Sequence, residues 1–201
     1  MTTHSNHDRE AAARSRCKPL TWPEVQSIIS AGDLHKLARS EEQKQDYCKA
    51  RSKIKNEWES IYDYLLCTKF QFIVDDGGHN QKKRSRPTFE DWRAMMKVGN
   101  NDVHDKTHVV LSLNDFPYYF EAGVEHWVVW KLGDSISTIE IENGKMDILR
   151  EAGFSNMDFI NDTSVFLHWL NPPELKSLPE VDHVHIVFRR SAMSTYNGSG
   201  V

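Results

Sequence analysis

His183 and His185 stand two residues apart in the run His-Val-His-Ile-Val-Phe, and Arg189 and Arg190 follow directly. In an extended chain successive side chains point to opposite faces. Both imidazoles therefore share one face, and Val184, Ile186 and Phe188 share the other. Two imidazoles facing the same way can bind a metal, or one can act on a substrate while the other tunes it. A neutral imidazole is also a competent nucleophile toward phosphorus. Lys176 and Ser177 lie just upstream. Cations and a hydroxyl near an imidazole pair suit an anionic substrate. The plainer reading is a pair of hydrogen-bonded strand histidines.

Two more histidines lie in strand-like runs beside a tryptophan, in His126-Trp127 and His168-Trp169. If their strands neighbour the first, all four imidazoles meet on one face. No acidic residue stands at ligand spacing from them, so no metal is assigned. Asn114-Asp115-Phe116-Pro117-Tyr118-Tyr119 is dense in polar and aromatic groups at a strand end, where binding residues tend to sit. Its aromatics can stack on a sugar or base, or cover the core. There is no glycine-rich phosphate loop, dinucleotide fingerprint or serine nucleophile elbow, and no cofactor is implied.

The elements that must position these residues follow from pattern. Leu20-Thr21-Trp22-Pro23 opens the fold, with Thr21 capping a helix whose apolar face uses Trp22, Val25, Ile28 and Ile29 and which ends at Gly32. Tyr47, Ile54, Trp58, Ile61, Tyr62 and Leu65 predict one long helix from Glu41 to Leu66. Residues 75–88 carry turn chemistry and predict a flexible loop. Its basic run, Lys82, Lys83, Arg84 and Arg86, fits a solvated loop, a nuclear localisation signal or a phosphate-contacting patch. From residue 107 the grammar becomes that of a sheet. Thr107 to Leu113, Glu125 to Trp130, Thr163 to Leu170 and His183 to Phe188 predict strands. Between the second and third, Ile136, Ile139 and Ile141 tolerate a strand, while Met146 to Ala152 reads as helical. Helices, two strands, a helical connection and two strands make an α+β fold, a helical N-terminal half packed on a mainly antiparallel sheet. The expected organisation is a disordered tail over 1–18, one domain over 19–190 and a flexible tail over 191–201.

Composition bounds the function. The 201 residues are 39% hydrophobic and 27% charged, enough for one domain with a real core. A net charge of −4 makes nucleic acid an unfavoured partner. No run approaches the roughly 20 apolar residues of a membrane span. The first 16 residues lack the apolar stretch of a secretory signal. Cys17, Cys48 and Cys67 are few and scattered, which predicts a reducing compartment, the cytoplasm or also the nucleus. Composition says nothing of oligomeric state.

Two stretches carry a resemblance. Leu113 to Trp130, with its Asn-Asp-Phe-Pro-Tyr-Tyr block and downstream His126, resembles a block of the fungal N-acetylglucosamine-induced protein 1 family. So do Val165 to Asn171, Lys176-Ser177 and His183-Val184-His185, while Thr21-Trp22 and Tyr64-Leu65-Leu66 fit that family's helical half. The resemblance implies a fungal, cytoplasmic protein linked to the N-acetylglucosamine response, and it supplies no catalytic residues. A second, weaker resemblance is to the histidine-triad and galactose-1-phosphate uridylyltransferase group, matched at His126, Asn171, Ser177, His183, His185 and Arg189. It implies that His185 attacks phosphorus, although Val187 stands where the third triad histidine would be. Two functions follow. One is an enzyme acting on a nucleotide, nucleotide-sugar or sugar phosphate. There His183 and Ser177 orient the reacting groups and Lys176 and Arg189 neutralise charge, while Asn114, Tyr118, His126, Trp130, His168 and Asn171 line the site. The other is a non-catalytic module that binds such a ligand or a protein partner.

Overall fold

A computed structural model describes residues 15–78, 81–97, 109–154, 157–176 and 178–193. Helix α1 (Trp22–Ala31) begins where the Glu24 carboxylate accepts from both the backbone N–H and the hydroxyl of Thr21, with Pro23 in the first turn. It stops at Gly32, whose φ of 72° is a left-handed conformation that glycine adopts without steric cost. The expected long helix is two helices, α2 (Glu41–Glu57) and α3 (Ile61–Thr68). Its apolar spacing runs straight through the break, and capping and pairing override it. Trp58 is extended and bridges Lys83, while the Ser60 hydroxyl caps α3 by accepting from the N–H of Asp63.

The segment expected as a flexible loop over 75–88 contributes strand residues at both of its ends. β3 (Ile73–Asp75) and β4 (Arg84–Arg86) form an antiparallel ladder. The Asp75 carboxylate pairs with both Arg84 and Arg86, Lys83 pairs with Glu57, and Lys82 donates to the Lys55 carbonyl. The basic run thus holds the hairpin onto α2. Helix α4 (Phe89–Lys97) follows. Two short strands at the start of the fold, β1 (Ser15–Arg16) and β2 (Arg39–Ser40), pair in parallel, so the segment expected as a tail is anchored at residues 15 and 16.

The main sheet has four antiparallel strands, β5 (Val109–Leu113), β6 (Val124–Lys131), β7 (Phe166–Trp169) and β8 (Asp182–Arg189), in the order β5-β6-β8-β7. The ambiguous stretch between β6 and β7 is helix α5 (Thr138–Glu151). Its start is a reciprocal capping box between Ser137 and Glu140, a signal that outranks the strand-like isoleucines. α5 lies on the face formed by Trp127, Val129, Val184, Ile186 and Phe188, where Ile141, Ile148 and Leu149 complete a core. Each such buried aliphatic side chain contributes about 1.5–3 kcal/mol. A last turn, α6 (Arg190–Met193), buries Met193 in the same core.

The opposite face is covered in two patches. α1 packs Trp22, Val25 and Ile28 on Leu167, Trp169 and Val187. α3 and α4 pack Leu65, Leu66, Phe89 and Trp92 against Leu132, Leu178 and Val181, with Val110 and Trp130 alongside. The imidazoles of β8 lie on this face, between the two patches. The chain is therefore α+β, with its helical N-terminal half on a mainly antiparallel sheet. Among the described residues, no helix is long and apolar enough to cross a membrane.

Candidate functional site

Strand alternation places His183 and His185 on the face opposite α5, and the antiparallel register gives each a tryptophan neighbour. His183 pairs across strands with Trp130 and His185 with Trp169. The Trp169 indole stacks on His185 at 5.0 Å and 15°, and Trp130 tilts over His183 at 5.1 Å. His126, on β6, is the diagonal neighbour of His185, since its direct partner is Val187. The three imidazoles are 3%, 3% and 7% exposed for His126, His183 and His185.

His168 does not join them. Its cross-strand partner is Ile186, which belongs to the α5 core, so His168 faces the other way and is exposed. The expected convergence of four histidines is a convergence of three, because the register sets His168 opposite Ile186, one residue along β8 from His185, and successive residues of a strand point to opposite faces.

Hydrogen bonds thread the three rings in a definite direction. The Trp169 indole N–H, which can only donate, gives its proton to Asn171 Oδ1 at 3.2 Å. That orients the Asn171 amide, so its Nδ2 donates to His185 Nε2 at 3.1 Å. His185 must then carry its proton on Nδ1, 3.0 Å from His126 Nε2, which accepts it. Asn114 is oriented in the same way. Its Oδ1 accepts from the N–H of Phe116, which turns Nδ2 toward His126 at 3.3 Å from Nε2. His183 stands outside the chain and donates from Nδ1 to the Val181 carbonyl at 3.0 Å.

This arrangement keeps the rings neutral. Burial pushes His126 down to about 3, helped by the nearby Arg39 guanidinium. Burial also holds His185 well below the imidazole range, with further lowering from His126, His183 and Arg39, and it lowers His183.

The remaining expected residues divide. Tyr118 does reach the cluster. The segment before β6 is laced to the N-terminal layer by Leu20 N–H to the Tyr119 carbonyl and Tyr119 N–H to the Ala38 carbonyl. Tyr118 is thereby laid over His126 at 5.4 Å, and its phenol hydrogen-bonds to Asn171. Lys176 is paired with Asp182 at 2.9 Å beside the His183 end of the strand. Arg189 sits at the far end of β8, over the Trp22 ring and 4.0 Å from Glu121. Ser177 lies outside the described residues.

Sequence reasoning missed Arg39. Its Nε and Nη2 donate to the Phe116 carbonyl at 3.1 and 2.8 Å, and its guanidinium lies 4.4 Å from the Tyr47 ring and 5.2 Å from the Tyr118 ring. Nothing local in the sequence links Arg39 to a turn 77 residues away. Trp169, which sets the direction of the hydrogen-bond chain, was read only as a neighbour of His168. Among the described residues, no group of three or more His, Cys, Asp or Glu side chains is disposed to hold a metal ion.

The family model described as a protein of unknown function, DUF3605, matches residues 21–189. This chain belongs to the DUF3605 family. The match takes in the whole imidazole cluster and the helical layer above it. The DUF3605 chain is 26% identical over 184 residues to N-acetylglucosamine-induced protein 1 of Candida albicans, covering 85% of this chain and 68% of that protein. It is 24% identical over 177 residues to the uncharacterized protein YPL067C of Saccharomyces cerevisiae, covering 83% of this chain and 77% of that one. Among solved structures, the crystal structure of HTC1 superposes with a TM-score of 0.50 at 18% identity, covering 88% of this chain and 91% of that chain, a likeness of fold.

Proposed function

We propose that this DUF3605 protein is a non-catalytic binding module of the N-acetylglucosamine response, and that it takes a small phosphorylated ligand such as a nucleotide, nucleotide-sugar or sugar phosphate. One observation carries the non-catalytic part. Both ring nitrogens of His185 are engaged, Nδ1 with His126 and Nε2 with Asn171, beneath the Trp169 indole. A nucleophilic imidazole needs a lone pair free to meet phosphorus at a near-attack distance. Here the only lone pair, on Nε2, accepts from an amide whose other end is tied to Trp169.

The connection to N-acetylglucosamine rests on the name of the Candida albicans relative. A cytosolic or nuclear setting suits the free thiols of Cys17, Cys48 and Cys67. The histidine-triad likeness motivates the phosphorylated ligand class, with the missing third histidine at Val187 in keeping with binding without turnover.

The test incubates the full chain with UDP-N-acetylglucosamine, UDP and glucosamine 6-phosphate. It follows melting temperature, and mass spectrometry of each compound. The expected result is a concentration-dependent rise in melting temperature with every compound recovered intact. Turnover by the wild type that disappears in His185→Asn would overturn the reading and restore the nucleophile.

A further inference from the structure

We infer that the phosphate of the ligand is anchored by Arg39, at the junction of the β5–β6 connection with the start of α2. The inference deepens the binding reading above and rests on it.

The first reason is an unbalanced charge. Three other cations at or below the surface are each matched by a carboxylate: Lys69 by Asp115, Lys131 by Glu140 and Lys176 by Asp182. Arg39 is partly buried too, but its only partners among the described residues are the Phe116 carbonyl and the two tyrosine rings. The carboxylates next to it in sequence do not serve it. Glu41 is hydrogen-bonded to the side chain of Ser15 and lies near Lys44. Lys145, with Glu142 nearby, likewise makes no ion pair among the described residues. However, it is a buried residue of α5 itself, 5% exposed, and donates to the Ile160 carbonyl in a short 3-10 turn, which is a structural task.

The second reason is preorganisation. Nε and one Nη2 hydrogen are committed to Phe116, and Tyr47 and Tyr118 hold the guanidinium plane. Tyr47 is fixed in turn by edge contact with Phe116 at 5.2 Å, and Tyr118 by its stack on His126. Nη1 and the second Nη2 hydrogen remain without a protein partner among the described residues, and no nitrogen of Arg39 is a buried orphan. An arginine held flat with part of its donor edge facing water is ready to grip two oxygens of one anion, with little rotamer entropy left to lose.

The third reason is what surrounds it. Tyr118 lies between the guanidinium and the imidazoles, so the groups on that side of Arg39 are an aromatic ring and, beyond it, the neutral His126 and His185. Lys176 and Arg189, the cations that the sequence offers for this role, lie at the two ends of β8. Lys176 is held by Asp182, and Arg189 stands over Trp22 near Glu121.

The experiment titrates the full chain with inorganic phosphate and with UDP-N-acetylglucosamine, at constant ionic strength made up with chloride, with acetate as the carboxylate comparator. Wild type, Arg39→Gln and Arg39→Lys are compared by calorimetry and melting temperature. Saturable phosphate binding is expected in the wild type, weakened about tenfold or more in Arg39→Gln and only partly kept in Arg39→Lys, which retains charge without the fork. Phenylglyoxal modification of the wild type, read by mass spectrometry at Arg39, works even if a variant fails to fold. Protection by phosphate and by the nucleotide sugar, and not by acetate, supports the assignment. Protection by acetate alone assigns a carboxylate ligand and overturns it. UDP-N-acetylglucosamine binding that ignores Arg39→Gln and gives no protection removes Arg39 while the binding module stands. Turnover of the nucleotide sugar removes the binding-only reading while Arg39 can still be judged by protection.

Discussion

His126 Nε2 accepts a hydrogen bond from His185 Nδ1 at 3.0 Å across the diagonal of two antiparallel strands. Together with the Asn171 amide donating to His185 Nε2, the bond requires both rings to be neutral and one tautomer of each. That requirement makes the cluster sensitive to pH and to the residues that set its direction.

Stability should depend on pH through these histidines. Their folded pKa values lie below the unfolded imidazole value, about 3 for His126 and lowered for His185 and His183. Between those values the unfolded chain binds more protons, so stability is full above the unfolded pKa of about 6.5 and is lost as pH falls through the window. Each proton taken up on unfolding costs about 1.4 kcal/mol per pH unit. Urea unfolding at pH 7.5, 6.0 and 5.0 should show this slope, at pH values above those where the depressed carboxylates titrate. His126→Asn should reduce it by the contribution of one proton, and an unchanged slope in that variant would place the dependence elsewhere.

Trp169→Phe keeps a ring over His185 and removes the donor that orients Asn171. The Asn171 amide then keeps only the Tyr118 phenol as a second partner, and the His185 tautomer is less tightly specified. The loss of the bond and the unsatisfied Asn171 oxygen should cost about 1–3 kcal/mol. Nitrogen-15 NMR of the imidazoles should show a single Nδ1–H form of His185 in the wild type and a mixture in the variant.

Gly144→Ala, in the middle of α5, should destabilise the protein although alanine is the better helix former by about 1 kcal/mol. An added Cβ meets Val129 Cγ2 at 2.8 Å and Ile186 Cδ1 at 3.5 Å. The glycine lets α5 approach the sheet, and overpacking there costs about 1–3 kcal/mol. A melting temperature equal to or above that of the wild type would show that the helix can shift away.

Asp63 is 3% exposed and joins α3 to the β3–β4 hairpin. Its Oδ1 accepts from the Ser85 hydroxyl at 2.6 Å and Oδ2 from the Ser60 hydroxyl at 2.7 Å. Asp63→Ala leaves Ser85, itself fully buried, without its acceptor and should cost about 1–3 kcal/mol. Hydrogen exchange should quicken selectively over residues 73–86, and uniform exchange across the chain would argue against a local clasp.

The strand pattern made much of this protein legible from sequence alone. Alternation in His183-Val184-His185-Ile186 put the two imidazoles on one face, because a side-chain period of two is a property of the extended backbone itself. The Thr21 start and the Gly32 stop of α1 were equally local, since caps act within one turn. Tertiary pairing decided what had no local signature. Trp58 leaves its helix to bridge Lys83, a residue the helical period cannot see. Register turned His168 away from the other histidines and brought His126 onto His185. The Asn171 amide, oriented by Trp169, chose the tautomer of His185, which separates a free nucleophile from an engaged ring. Arg39 met Phe116 and Tyr118 only because the N-terminal layer closes over the β5–β6 connection. Residue types and their periodicity determined which groups this chain could use. Long-range packing determined which of those groups have a lone pair or a charge left to offer, because each hydrogen bond formed within the fold removes one from what a ligand can take.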